Sequence, residues 1–294
     1  MKTWSTPVCA GKSVSVPCIC GSQNFKPALE CEGFSYVRCV FCGLVQMNPQ
    51  PEKTGVTGRY SAMYGKDYLS YELENEAAFL ELQRLCLKDA GFFELEKKLL
   101  ANAAHAARGA EENEKPSALV VGCATGSLLE YLRDRGWRVT GVEISPGAGY
   151  AREKRKLDVR EKPLEENNFK EAGFDAVLAS HLIEHLNDPR SFLAEARRIL
   201  KKDGRIFITT PNISGFQARV FGGRWRSAIF DHLYLFSVKT LTGALIAAGF
   251  KIERVSTWGG LAAGTAPGWL KRPADFLAKR LGFGDVMIVR AVSS

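Results

Sequence analysis

Residues 118–126 read Ala118-Leu119-Val120-Val121-Gly122-Cys123-Ala124-Thr125-Gly126, an apolar run ending in a loop of small residues, and Ser127-Leu128-Leu129-Glu130-Tyr131-Leu132 continues at helical spacing. A buried strand that turns at once into a helix is the opening half of a strand-helix-strand unit. Small residues at 122, 124 and 126 let the backbone turn sharply and approach a ligand, and the helix N-terminus beyond them offers N–H groups to an anion. The next apolar run, Arg138-Val139-Thr140-Gly141-Val142, ends in Glu143 one unit later. There a carboxylate can accept hydrogen bonds from both ribose hydroxyls. Loop and acid together point to an adenosine ligand. Ser127 takes the third fingerprint position of this G-x-A-x-G-S loop, which argues against a dinucleotide.

The alternation continues downstream. Phe174–Ala179, Arg205–Thr210, Lys251–Thr257 and Val286–Val292 read as further strands, and Ser145-Pro146, Asp188-Pro189 and Ser237 place a capping residue before a helical run. This is the pattern of a doubly wound α/β sheet. Upstream, Tyr71–Ala110 has helical texture broken at Gly91, predicting two helices, and Glu111 to Pro116 is a polar hinge. The first 58 residues carry turn formers and little apolar periodicity, so they need a staple to fold. The expected organisation is a small module over 1–58, a helical linker or cap over 59–112, and an α/β domain over 113–294.

With 294 residues, 46% hydrophobic and 24% charged, the chain has the balance of a globular protein, which excludes collagen-like and disordered classes. Its net charge of +8 leans toward acidic partners, although the charges are interspersed. No window reaches the roughly 20 apolar residues of a membrane span, and Met1-Lys2-Thr3-Trp4-Ser5 lacks the apolar core of a secretion signal, so the expected location is the cytoplasm.

Six of the eight cysteines, Cys9, Cys18, Cys20, Cys31, Cys39 and Cys42, fall within the first 42 residues. In a reducing compartment such a cluster reads as metal ligands before disulfides. Cys39-x-x-Cys42-Gly43 has the form of a zinc knuckle, and Cys18-x-Cys20-Gly21 is its partner about 20 residues away, although C-x-C is tighter than the usual C-x-x-C. The expected ligands are Cys18, Cys20, Cys39 and Cys42, with Cys9 or Cys31 as substitutes for Cys18.

In order along the chain stand the loop Val120-Val121-Gly122-Cys123-Ala124-Thr125-Gly126, the strand-end Glu143, Glu184-His185-Leu186-Asn187-Asp188-Pro189, Leu200-Lys201-Lys202-Asp203-Gly204 and Thr210-Pro211-Asn212. This series resembles the class I S-adenosylmethionine-dependent methyltransferases. Val120 replaces their usual acid, Ala124 their middle glycine, and Lys202-Asp203 their proline-glycine. The resemblance covers residues 117 to 258. It implies a Rossmann-like seven-stranded sheet and S-adenosylmethionine as cofactor. By it, Gly122, Cys123, Ala124, Thr125 and Gly126 would form the loop around the methionine moiety. Glu143, with Ile144 after it, would hold the ribose, Ser180 and His181 would lie near the sulfonium, and Glu161 to Glu165 would reach the adenine. Methyltransferases with C-P-x-C-G-S and R-C-x-x-C-G-L-V near their start also resemble Cys18 to Val45, which supports a zinc-ribbon-like module.

Three of the four histidines, His181, His185 and His232, lie in these motifs. His181, Glu184 and His185 are metal-competent at i, i+3 and i+4, and this segment resembles the E-x-x-E-H pattern that binds a divalent ion in ubiquinone-biosynthesis O-methyltransferases. Here His181 replaces the first glutamate. The expectation is that Glu184 and His185 cap and orient a helix, with no divalent ion required. Asp231-His232-Leu233-Tyr234-Leu235-Phe236-Ser237 resembles part of a motif in sugar C-methyltransferases whose last histidine is a proposed base. Methyl transfer to oxygen needs the acceptor proton removed, and imidazole titrates near neutrality. His232, with Asp231 beside it and His185 nearby, is therefore the expected catalytic set, the alternative for His232 being a packing role.

Arg219, Arg224 and Arg226 lie among Phe216, Phe221 and Trp225, so either an anionic acceptor or a solvated basic edge fits the segment. Trp258 to Trp269 reads as an apolar loop over a substrate or a membrane surface. The leading expectation is methyl transfer to an oxygen of a small-molecule or glycan-like acceptor. A nucleic-acid-directed protein is the second reading, disfavoured because the first 58 residues lack a dense basic run and Phe207-Ile208-Thr209-Thr210-Pro211-Asn212 lacks a base-methylation motif. An NAD-dependent oxidoreductase is the third.

Overall fold

The computed structural model describes residues 13–52, 66–106, 115–259, 278–279 and 282–293. Cys9, the hinge residues 111–114 and the loop residues 260–269 singled out above lie outside the described residues. Thirteen strands are present among those described: β1 (Ser13–Val14), β2 (Phe25–Cys31), β3 (Phe34–Cys39), β4 (Val45–Met47), β5 (Gln50–Pro51), β6 (Ser117–Val121), β7 (Arg138–Val142), β8 (Val159–Arg160), β9 (Phe174–Ser180), β10 (Leu200–Pro211), β11 (Tyr234–Leu235), β12 (Phe250–Trp258) and β13 (Val286–Ser293). The helices are α1 (Lys66–Asp89), α2 (Phe92–Ala106), α3 (Ser127–Asp134), α4 (Gly147–Arg155), α5 (Pro189–Ile199), α6 (Phe216–Phe221) and α7 (Val238–Ala247).

The main sheet has seven strands in the order β12-β13-β10-β9-β6-β7-β8. β8, β7, β6, β9 and β10 pair in parallel, while β13 runs antiparallel to both β10 and β12. This is the expected Rossmann-like sheet. Its order reverses between β6 and β9, and in open α/β sheets ligands bind at that switch point, beyond the carboxyl ends of the strands.

Each face of the sheet has its own core. On one face α1 and α2 pack beside α3 through Leu87, Phe92, Leu95 and Leu132, with Phe92 stacked on Trp137 at 5.3 Å. Gly91, at φ +74, makes the break between α1 and α2. Buried Glu96 accepts from Trp137 Nε1 at 2.9 Å and pairs with Arg135, so burying the acid leaves no unpaired charge. On the other face α5 and α7 pack through Phe192, Leu193 and Leu241, and this core continues without a break into Tyr36, Leu44, Val45 and Met47 of the N-terminal module.

The N-terminal module thus shares its core with the α/β sheet. The N-terminal sheet has the order β11-β4-β3-β2, so its edge strand comes from residue 234 onward. Tyr234 pairs with Gln46 and Leu235 with Val45. A two-residue strand gives no period-2 signal, which is why the pairing was invisible in the sequence. The strand expected to begin at Arg205 starts earlier, at Leu200, with a register shift before Arg205. Asp203, inside this irregularity, takes φ 61. No helix among the described residues is long and apolar enough to cross a membrane.

Candidate active site

The loop after β6 is built from left-handed backbone: Gly122, Ala124 and Gly126 have φ of 73, 47 and 84. The positive φ favours glycine at 122 and 126, and a Cβ at Gly126 would also press on Leu157 Cδ1 at 2.7 Å and Ala151 Cβ at 3.0 Å. Glu143 stands across this loop. One carboxylate oxygen accepts from Ala124 N–H at 2.8 Å and the other from Ser145 N–H at 2.7 Å. A carboxylate oxygen has two acceptor positions, so one remains on each oxygen for a ligand hydroxyl.

The loop opens on a cavity of about 1270 Å³. A site for one drug-sized ligand spans roughly 300–1,000 Å³, so this one has room for a nucleoside-sized donor and a second molecule. Of the residues read as the cofactor set, Gly122, Cys123, Ala124, Thr125, Glu143, Ile144, Ser180 and His181 line this cavity and Gly126 does not. The Cys123 thiol is buried, and that burial pushes its pKa up. Thr125 is buried too and donates to Glu76 Oε1 at 2.7 Å. From the segment expected to meet adenine, Pro163, Leu164 and Glu165 line the cavity, whereas Glu161 pairs with Arg152.

The sequence reading predicted the helix α1 but assigned none of its residues to the site. Glu72, Glu76, Phe79, Leu82, Gln83 and Cys86 form one wall of the cavity, and Glu76 ties Thr125 and Arg155 together across the loop. Spacing could show that this stretch is helical but not that it crosses the mouth of the sheet.

Two of the histidines, His181 and His185, also line the cavity. Ile183–His185 forms one short 3-10 turn, and Glu184 and His185 do not cap a helix as expected; the cap of α5 is Asp188, as its position before Pro189 predicts, and its carboxylate accepts from Ser191 N–H at 3.1 Å. Glu184 is buried beneath the turn. His181 Nδ1 lies 3.2 Å from one of its oxygens and Thr210 Oγ1 donates to the other at 2.8 Å. Burial alone would raise this carboxyl, yet the hydrogen bond from His181 and the surrounding imidazoles hold it at about 2. His181, at φ 50, presents an exposed side chain to the cavity.

His185 lines the cavity and its Nδ1 lies 2.9 Å from the Asp231 carbonyl oxygen. A carbonyl only accepts, so Nδ1 carries a hydrogen, and in the neutral ring the lone pair is on Nε2. His232, expected as the base, is 7% exposed and is not on the cavity wall. It sits behind His185 with the rings edge to face at 4.7 Å, and its Nδ1 donates to the Ser227 carbonyl at 2.8 Å. Burial drives its imidazole down to about 3. Asp231 serves the site through its backbone carbonyl. One ligand atom each from Glu184, His185 and His232 fall within 4.8 Å, so this trio could hold a metal ion; His181, from the expected set, instead bonds to Glu184.

Neutral His232 has a stability consequence. An unfolded histidine takes up a proton near pH 6.5, whereas folded His232 resists it down to about 3. In that window the unfolded chain binds the extra proton, so stability is lost as pH falls. Urea unfolding between about pH 6 and pH 5 is expected to show a loss of about 1.4 kcal/mol per pH unit from this group. The slope should flatten in His232→Gln; an unchanged slope in that variant would mean a solvated imidazole.

In the N-terminal module, Cys18 Sγ and Cys42 Sγ lie 3.4 Å apart and Cys20 Sγ and Cys39 Sγ 3.6 Å, with all four sulfurs within 4.8 Å of one another. Sulfurs bound tetrahedrally at about 2.3 Å from zinc stand about 3.8 Å apart, so the set fits that ion. Gly21 and Gly43, at φ 88 and 83, close the two knuckles. Burial would raise the Cys39 thiol, but N–H groups of Cys42 and Phe41 directed at it bring it down to about 6, which favours the ligating thiolate. Cys31 stands apart, with its sulfur 3.5 Å from the Gly223 carbonyl.

The three arginines separate. Arg219 lies over the Phe283 ring at 5.1 Å, Arg224 is exposed away from the cavity, and Arg226 lines it, with Nε donating to buried Asp285 at 2.7 Å. Arg226 is the only lysine or arginine on the described cavity wall.

Residues 86–255 match the model of a methyltransferase domain family, well over half of the chain. The chain belongs to that family. It is the class I, S-adenosylmethionine-dependent fold that the motifs resemble. A ubiquinone biosynthesis O-methyltransferase of Aromatoleum aromaticum is 34% identical over 110 residues, covering 35% of this chain and 47% of the relative. A second, of Xanthomonas axonopodis pv. citri, is 29% identical over 152 residues, covering 47% of this chain and 64% of the relative. The chain thus spans about half the length of the curated relatives it matches. Among solved structures, a SAM-dependent methyltransferase of Thermotoga maritima is 22% identical with a TM-score of 0.49, covering 74% of this chain and 97% of that one.

Proposed function

We propose that this methyltransferase moves a methyl group from S-adenosylmethionine to an oxygen of a small-molecule or glycan-like acceptor, with His185 as the general base. The observation that carries the reading is His185 on the cavity wall, its Nδ1–H fixed on the Asp231 carbonyl and its Nε2 left basic. When bound, the donor supplies an electrophilic methyl on a sulfonium. Gly122, Ala124 and Glu143 would hold it, with Ser180 and His181 toward the reacting end. His185 takes the proton from the acceptor hydroxyl as the oxygen attacks. Its ring is set by the backbone, so little reorganisation is needed. His232 positions His185 from behind and does not itself meet the acceptor. Arg226, held at Nε by Asp285, can direct its remaining N–H groups to an anionic substituent of the acceptor.

The names of the O-methyltransferase relatives support oxygen as the target. Incubation of the protein with deuteriomethyl-labelled S-adenosylmethionine and a catechol, phenol and sugar-hydroxyl panel should place label on oxygen. Added Mg²⁺ should change the rate by less than about twofold, because on this reading His185 removes the proton and no step of the transfer needs a metal. Label on nitrogen or carbon, or strict dependence on Mg²⁺, would overturn this reading.

The N-terminal module, on this proposal, holds structural zinc on Cys18, Cys20, Cys39 and Cys42. Freshly purified protein should contain about one equivalent of zinc. Less than about half an equivalent, with thiols reduced, would contradict it.

A further inference from the structure

The segment that orients His185 is gripped from outside the α/β domain. Tyr36, on β3 and fully buried, places its hydroxyl 2.8 Å from the carbonyl of Ile229 and 2.8 Å from that of His232. These two carbonyls bracket Asp231, whose own carbonyl accepts from His185 Nδ1. A phenol has a single hydrogen, shared between the two oxygens, and it has no other route out of this apolar surround. Around the hydroxyl the contact is continuous. The Phe34 ring meets that of Phe230 edge to face at 5.7 Å, and Met47 N–H donates to the Leu233 carbonyl at 2.9 Å. At Gly223 a Cβ would come within 1.9 Å of the Glu30 carbonyl oxygen, so the two backbones touch.

We propose that the cysteine module is a working part of the methyl-transfer site, and that Tyr36 is a positioning residue which, through the Ile229 and His232 carbonyls, fixes the Asp231 carbonyl and with it the tautomer and direction of His185. The assignment of His185 as the base is the reading given above; the positioning itself is a statement about geometry and stands or falls separately. Tyr36 lies three residues before Cys39 on the same strand, so the four sulfurs secure the strand that carries the hydroxyl. On this view the module acts on the site from behind the histidines, since none of its described residues lines the cavity. Loss of the ion should therefore act on the histidine side of the cavity and leave the glycine loop intact.

The test uses the full chain, zinc-loaded, labelled with ¹⁵N in its four histidines, which gives few enough ring signals to assign one by one. In the wild type His185 should show the Nδ1–H tautomer. Tyr36→Phe should shift the His185 and His232 ring signals and introduce the Nε2–H form of His185, with S-adenosylhomocysteine affinity within about twofold of wild type. Turnover, where an acceptor is in hand, should fall about 10- to 100-fold in kcat with KM for the donor unchanged. Phe34→Leu, a milder change at the same interface, should move the same two signals less and serves if Tyr36→Phe does not fold. Ring signals of His185 and His232 that coincide with wild type in the folded variant would overturn the proposal. So would a loss of S-adenosylhomocysteine binding equal to the loss of turnover, since that would mark a general structural effect. If wild type transfers no methyl group at all, the functional reading fails while the tautomer measurement still decides this one.

Discussion

His185→Ala is expected to lower kcat by about 10²- to 10⁴-fold while leaving the affinity for S-adenosylhomocysteine within about threefold, the range a positioned general base contributes. The separation of the two effects follows from the cavity. The glycine loop and Glu143 lie at the ends of β6 and β7, whereas His185 lies on the turn after β9. Nothing in the donor-holding set depends on the His185 ring. Its Nδ1–H is committed to the Asp231 carbonyl, so the group lost is the one basic nitrogen. His185→Gln keeps a polar side chain without an imidazole's basicity and should remain as slow as alanine near neutral pH. Raising the pH should then restore part of the rate, because the acceptor hydroxyl begins to ionise without help. The measurement is single-turnover transfer of labelled methyl across a pH series, with calorimetric binding of S-adenosylhomocysteine as control. A variant that turns over within about threefold of wild type would remove His185 from the chemistry and return attention to His181.

Glu143→Ala should weaken S-adenosylhomocysteine binding by about 100-fold or more. Two contributions add. The carboxylate presents acceptors to the ribose, and hydrogen bonds to a charged group are worth about 1.5–3 kcal/mol each. It also satisfies the N–H groups of Ala124 and Ser145, and without it the loop loses the bond that holds Ala124 in its left-handed conformation. Glu143→Gln keeps one acceptor oxygen and replaces the other by a donor, so its loss should be intermediate, about tenfold. Calorimetry on the three proteins checks the order. A loss under about threefold in the alanine variant would mean that no ribose is held at the end of β7.

Much of this protein was legible before any coordinates. The run from Ala118 to Gly126, Glu143 one unit later and the capping residues at Asp188 and Ser237 are local signals. A buried strand, a glycine that must take positive φ and a helix cap each declare themselves within a few residues. The knuckles at Cys18-x-Cys20 and Cys39-x-x-Cys42 are equally local, because ligand spacing is set by the turn that carries it. Those features placed the strands of the sheet, the donor loop and the four-sulfur cluster.

The roles of the histidines were not local. Residue type and motif offered His232 as the base, but whether an imidazole meets solvent, a ligand or a second ring depends on elements far apart in the chain. Only the packing of Ile229 to Phe236 against Tyr36 buries His232, sends Asp231's carbonyl to His185 and leaves His185 at the cavity. The same holds for α1, whose helical spacing could be read while its crossing of the donor loop through Glu76 could not. Sequence by itself determined the α/β architecture, the adenosine site and the clustered thiols, because turns, caps and strand periodicity are properties of neighbours. Tertiary structure alone decided which histidine lines the cavity and which is buried, and that the N-terminal sheet borrows β11, because burial and long-range hydrogen bonds are set by surfaces that meet only after the chain has folded.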